Sequence, residues 1–262
     1  MNRIEAKLEQ LKQKNEKAFI TYTTAGLPNL SKTKELIKVQ EEAGIDIIEL
    51  GVPFSDPIAD GPVIQDASYK AIQAKTSLKK VFETVKQVRE EGAQVPIIFM
   101  MYYNTIFHYG LEAFIKKCIE CGIDGLIVPD LPLEEQKDIQ DIINADENAP
   151  ILIQLVSPVS KQRIPKILEN ARGFVYCVSQ MGVTGKGANF HKDIRSYLEE
   201  VKAISKIPVM MGFGIRTAKD VEPLKDIIDG AIVGSHFIKL LESTDYSNEA
   251  VKEYITEFKK EF

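Results

Sequence analysis

A chain of 262 residues, 44% hydrophobic and 27% charged, is long enough to bury a sizeable core without disulfides or metals to staple it. Its net charge of −5, with no basic block, argues against a broad nucleic-acid or anionic-membrane surface, while a local anion site needs only a few backbone N–H groups. Three cysteines speak against a disulfide framework, no apolar run spans a bilayer and the first residues are charged rather than signal-like, so a reduced, cytoplasmic protein is expected.

The chain opens with an amphipathic stretch, Ile4, Leu8 and Leu11, that predicts a helix suited to plug one end of a barrel. From there short β-branched apolar runs alternate with helical patterns. Eight runs read as strands, at 18–22, 45–50, 96–101, 123–128, 151–156, 174–178, 208–211 and 231–233. They are continuous rather than alternating, as strands covered on both faces are. Asn29 or Ser31 can cap the helix that runs to Glu42, with Gly44 stopping it. Ser77 can cap the stripe Leu78, Val81, Phe82, Val85, Val88, which ends at Gly92. Cys118 and Cys121 form a C-x-x-C, but they lie in the helical stripe Leu111, Phe114, Ile115, Cys118, Ile119 ahead of Gly122, which reads as a packed face rather than a redox or zinc pair. Ser160 precedes another helix, Thr217 begins the next, and Ala250, Val251, Tyr254, Ile255 and Phe258 close the chain with a last stripe. No linker or shift in composition divides the sequence. Eight strand–helix units in about 250 residues predict an α/β fold, a single (β/α)8 TIM barrel domain over 1–262.

In that architecture reactive groups sit where strands end. Glu49 interrupts the apolar run Ile47-Ile48-Glu49-Leu50, where a carboxyl group is expected to be dry. It reads as a salt-bridged structural acid or, the preferred reading because buried acids are rare unless paired or functional, as a catalytic group whose desolvation would raise its pKa and suit it to give and take a proton. The proline-stiffened loop that follows carries Asp56 and Asp60, and Asp60 ahead of Gly61-Pro62 reads equally as a turn former or helix cap. After the sixth strand comes the glycine-rich segment 179–187, a lid or a plain connector. Gly212-Phe213-Gly214 and Gly234-Ser235 follow strands seven and eight, where a barrel phosphate site needs close backbone approach and a short phosphate-binding helix. His108, His191 and His236 lack ligand spacing, so no metal site is expected.

Residues 49–65, read E-L-G-V-P-F-S-D-P-I-A-D-G-P-V-I-Q, resemble the tryptophan synthase α-subunit family, and so do Gly182-Val183-Thr184-Gly185, Gly212-Phe213-Gly214-Ile215 and the segment 230–235. The resemblance runs end to end. It implies a lyase that cleaves indole-3-glycerol phosphate to indole and glyceraldehyde 3-phosphate, with no metal or cofactor in this chain. By it, Glu49 is the general acid/base and Asp60 stabilises the indole N–H as charge develops. Tyr22, Met100, Ile127, Tyr176, Thr184, Phe213 and Ile232 would contact substrate, and Gly185, Gly214, Gly234 and Ser235 would hold its phosphate. Tyr22 and Met100 stand where phenylalanine and leucine are usual, and 186–189 lacks the expected arginine. The implied partner is a pyridoxal-phosphate β subunit in an α2β2 complex, docked at Pro53, Phe54, Asp56 and Asn104.

Overall fold

Backbone hydrogen bonding explains why the apolar runs lie where they do. In the computed structural model, which describes residues 1–178, 188–212 and 214–262, they form one all-parallel sheet. Its strands are β1 (Ala18–Thr24), β2 (Ile47–Gly51), β3 (Ile97–Met100), β4 (Gly125–Ile127), β5 (Ile151–Leu152), β6 (Gln154–Val156), β7 (Val175–Val178), β8 (Val209–Gly212) and β9 (Gly230–Val233). The helices are α1 (Arg3–Lys14), α2 (Leu30–Glu42), α3 (Pro62–Gln73), α4 (Leu78–Glu90), α5 (Tyr103–Tyr109), α6 (Leu111–Cys121), α7 (Lys137–Asn144), α8 (Ile164–Leu168), α9 (Ala188–Ile204), α10 (Ala218–Val221), α11 (Ser235–Ser243) and α12 (Asn248–Glu261).

The sheet order runs β5-β4-β3-β2-β1-β9-β8-β7-β6, and its two ends are separated in the chain only by Ile153. Ile151 and Leu152 pair with β4 while Gln154 to Val156 pair with β7, so the ends are one segment and the sheet closes on itself. Eight strand segments make the barrel, as predicted, with the fifth interrupted at the closure.

Side chains alternate across the barrel wall, because successive residues of a strand point to opposite faces. Ile20, Ile47, Ile98, Ile127, Ile151, Ile153, Phe174, Met210 and Ile232 fill the lumen. The alternate residues, such as Phe19, Ile48, Phe99 and Val175, face the helix layer in a second cluster. Every residue of β1 is buried, which is why its sequence does not alternate. Helix α1 contributes Ile4, Leu8 and Leu11 to the lumen cluster and so covers its N-terminal end. A methyl group added at Gly125 would lie 2.8 Å from Ile4 Cδ1, so this close approach requires glycine.

Most helix ends follow their local chemistry. The Asn29 side chain accepts from Lys32 N at 2.9 Å and caps α2, and Thr217 with Asp220 forms a capping box on α10. Gly122 stops α6 in the left-handed region, at φ 71°. Cys118 and Cys121 are buried free thiols on that helix. The start expected after Ser160 needs correction: residues Pro158–Arg163 form a 3-10 turn, and α8 begins only at Ile164, where Pro165 suits the first turn.

Three aspartates tie the N-terminal rim together. Asp46, Asp124 and Asp229 each stand just before a strand and accept the N–H of a residue on the neighbouring chain segment. Phe19 N donates to Asp46 at 2.9 Å, Ile97 N to Asp124 at 2.8 Å and Val209 N to Asp229 at 2.7 Å. Each is countered by a cation: Lys259 on Asp46, Lys202 on Asp229, and both Arg89 (2.7 Å) and Arg3 (2.9 Å) on Asp124. Arg3 lies on α1, so Asp124 also fastens the plug. Removing it strands Arg89 as an uncompensated buried charge. Asp124→Ala is expected to lose about 3–5 kcal/mol of stability in urea unfolding, and a loss below about 1 kcal/mol would show the network to be ornamental.

Candidate active site

Two acids lie in and just beyond β2, one in the barrel wall and one in the loop that follows. Glu49 is the third residue of β2, inward-facing between Tyr22 of β1 and Ile98 of β3 in register. It is 1% exposed, and neither carboxyl oxygen has a hydrogen-bond partner among the described residues. Burial pushes its pKa up to about 8, with a smaller contribution from the negative charge of Asp60.

Asp60 lies in the loop between β2 and α3, half-buried at the barrel mouth. The alternative reading of this residue as a cap fails, since Gly61 is the N-cap of α3 and no side chain caps that helix. Its carboxylate instead accepts the Tyr102 hydroxyl at 3.0 Å, and the same hydroxyl accepts Ala59 N at 3.0 Å. The Tyr102 ring in turn stacks on Phe54, with centroids 5.1 Å apart. Burial raises the Asp60 pKa to about 6, opposed by the Tyr102 hydrogen bond. At neutral pH Glu49 is therefore mostly protonated and Asp60 mostly ionised, so the two acids hold opposite states in one site. Tyr102 is absent from the sequence-predicted set. Its only signal is a polar aromatic immediately after the third strand.

The remaining predicted positions divide into three groups. Tyr22, Met100, Ile127, Tyr176 and Ile232 all line or pack against the lumen clusters, and the structure brings them together. Two tyrosines need glycine opposite them: a methyl group at Gly51 would fall 2.0 Å from the Tyr22 hydroxyl, and one at Gly212 would fall 2.4 Å from Tyr176 Cε2. Gly214 is exposed with φ +65°, and Gly234 and Ser235 start α11, whose first-turn N–H groups have no intrahelical acceptor. Thr184, Gly185 and Phe213 lie outside the described residues, as does the segment 179–187 to which the first two belong.

Of the outer positions, Asp56 and Asn104 are exposed and Pro53 and Phe54 half-buried. Phe54 is accounted for by its stack on Tyr102; the apolar side chains left in solvent nearby are Ile58 and Phe107, 83% and 68% exposed. Among the described residues no cluster of His, Cys, Asp and Glu could hold a metal, and no helix is long and apolar enough to cross a membrane.

The sequence and the fold both have close counterparts among known proteins. The sequence model of the tryptophan synthase alpha chain matches residues 8–262. The chain belongs to the tryptophan synthase alpha chain family. It is 69% identical to the tryptophan synthase alpha chain of Lachnospira eligens over 261 residues, 100% of this chain and 99% of that one. It is 46% identical to that of Alkaliphilus metalliredigens, over 93% of this chain and 90% of the relative. The fold is similar to the crystal structure of tryptophan synthase subunit alpha from Legionella pneumophila, with a TM-score of 0.90 at 32% identity, covering 100% of this chain and 98% of that one.

The charge state of Glu49 couples to stability. Its carboxyl releases a proton near pH 4.5 in the unfolded chain and near pH 8 in the fold, so between those values the folded state binds the extra proton. Its favourable contribution is fully present below the lower value and is lost as pH rises through the upper one. Glu49→Gln, which cannot ionise, is expected to exceed the wild type in unfolding free energy by about 3–5 kcal/mol at pH 9, with the advantage vanishing below pH 4. Parallel stability curves across that range would contradict the raised pKa.

Proposed function

We propose that this chain is a lyase that cleaves indole-3-glycerol phosphate to indole and glyceraldehyde 3-phosphate by a retro-aldol reaction, with no metal or organic cofactor of its own. The observation that carries the reading is a buried Glu49 in the barrel wall, whose carboxyl oxygens have no partner among the described residues, with Asp60 held by Tyr102 at the barrel mouth, burial raising the pKa of both acids. Indole is a poor leaving group until its C3 carbon is protonated. Glu49 gives that proton and then takes one from the hydroxyl on the adjacent chain carbon. As the C–C bond breaks, its electron pair restores the aromatic ring and the hydroxyl carbon becomes the aldehyde. The proton lost from oxygen replaces the one given to carbon, so Glu49 ends protonated, as it began.

Asp60 accepts the indole N–H and balances the positive charge that spreads onto the ring after C3 protonation. Tyr102 keeps it aimed and ionised. In this reading the indole ring is contacted by Tyr22, Met100, Ile127, Tyr176 and Ile232, and Phe213, which lies outside the described residues, is assigned the same role from the family resemblance. Gly185, Gly214, Gly234 and Ser235 supply backbone donors for the phosphate, aided by the positive end of α11. In this reading Thr184 closes over the site and excludes water from the ring tautomer.

The same reading gives the chain a pyridoxal-phosphate β subunit as partner, in an α2β2 complex that takes up indole and joins it to serine. The cofactor belongs to that partner, and a cytoplasmic location accompanies it. Ile58 and Phe107, apolar and open to solvent beside Pro53, Asp56 and Asn104, support a docked protein there.

The test is indole release from indole-3-glycerol phosphate by the wild type, Glu49→Gln and Asp60→Asn, with and without a β subunit. Each variant is expected to lose roughly 10²-fold or more in turnover with substrate binding largely kept. Undiminished release by Glu49→Gln would overturn its role as acid and base.

A further inference from the structure

Tyr22 carries a polar group that the lumen leaves unspent. Its side chain is 4% exposed and clusters with Leu27, Ala67 and Ile238, with Val63, Ile64, Met100 and Tyr246 packed against that cluster, and of these none is hydrogen-bonded to it. The phenol oxygen accepts the Thr24 hydroxyl at 3.4 Å, and no acceptor for its own proton is found among the described residues. Burial keeps that proton on, holding the phenol well above its ordinary pKa. A buried donor without an acceptor costs free energy once a ligand displaces water from it, unless the ligand brings the acceptor.

The position of the ring says which part of a ligand that is. At one end, a methyl group on Gly234 would meet Tyr22 Cβ at 3.6 Å; at the other, one on Gly51 would lie 2.0 Å from the hydroxyl. Gly234 opens α11, the proposed phosphate corner, and Gly51 stands two residues beyond Glu49. Tyr22 therefore runs alongside the path from the phosphate to the acid, which the three-carbon chain of the substrate must follow. An indole ring offers an N–H donor and no lone pair in its plane, so it cannot accept from a phenol in that way. A hydroxyl oxygen on the chain can. Resting on the function proposed above, we infer that the Tyr22 hydroxyl donates to a hydroxyl oxygen of the substrate's carbon chain and makes Tyr22 a specificity residue for hydroxylated over deoxygenated phosphate esters.

Tyr22→Phe removes one oxygen and keeps the ring, so packing is preserved. The KM for indole-3-glycerol phosphate and the inhibition constant of indole-3-propanol phosphate, which lacks both chain hydroxyls, are compared between wild type and variant. The expected result is a rise in KM of about 3- to 10-fold with kcat changed by less than about twofold, while the inhibition constant moves less than about twofold. An unmoved KM, or the same factor for both ligands, overturns the inference. Absence of indole release by the wild type would instead defeat the underlying function, so the two failures are distinct.

Discussion

A carboxyl group buried in a barrel wall cannot keep a negative charge cheaply, and Glu49, set between Tyr22 and Ile98, is placed in that situation by its own strand. Three residues of β2 face the lumen, and the middle one is Glu49, between Ile47 on the plugged side and Gly51 at the mouth. Neither oxygen is paired among the described residues, so burial raises the pKa without a hydrogen bond to restore it. The result is an acid that holds its proton at neutral pH yet releases it within reach of ordinary conditions. Were the site paired with a cation, as Asp124 is with Arg89, the group would be a structural anion and useless for giving up a proton.

The rest of the barrel serves to keep that carboxyl dry and the other one wet enough to ionise. Helix α1 closes the bottom of the lumen, and the aspartate rim with its cations holds both α1 and the strand starts in place. At the top, glycines at 51 and 212 leave room for the Tyr22 and Tyr176 rings to lie across the lumen. Asp60 arrives from a loop, where partial exposure and the Tyr102 hydroxyl limit the rise in its pKa. Two carboxyl groups near each other thus differ in protonation because one sits in the wall and the other at the rim.

Much of this was legible in the sequence. Strands covered on both faces betray themselves as unbroken apolar runs, so all eight could be found, and an acid inside one of those runs marks Glu49 directly. The interruption at Ile153 could not be read, because it arises where the sheet meets itself, a contact between chain ends of the pairing order rather than a local pattern. Asp60 was ambiguous on its own residues for a similar reason: its deciding partner, Tyr102, is 42 positions away. Ser160 misled as a helix start because capping-type residues also favour tight turns, and here Pro158 begins a 3-10 turn first. The repeated Gly-Ile-Asp at 44–46 and 122–124 is visible in the sequence, but its cations come from remote helices and so the rim is not.

The protonation state of Glu49 is the claim on which the chemistry stands, and it can be observed without substrate. Infrared difference spectra between the wild type and Glu49→Gln isolate the carbonyl stretch of this one acid. A protonated-acid band should be present at pH 7 and give way to a carboxylate band as pH passes through about 8. A carboxylate band already complete at pH 6 would mean that Glu49 is an ordinary anion, and the proton it is assigned to deliver would not be there.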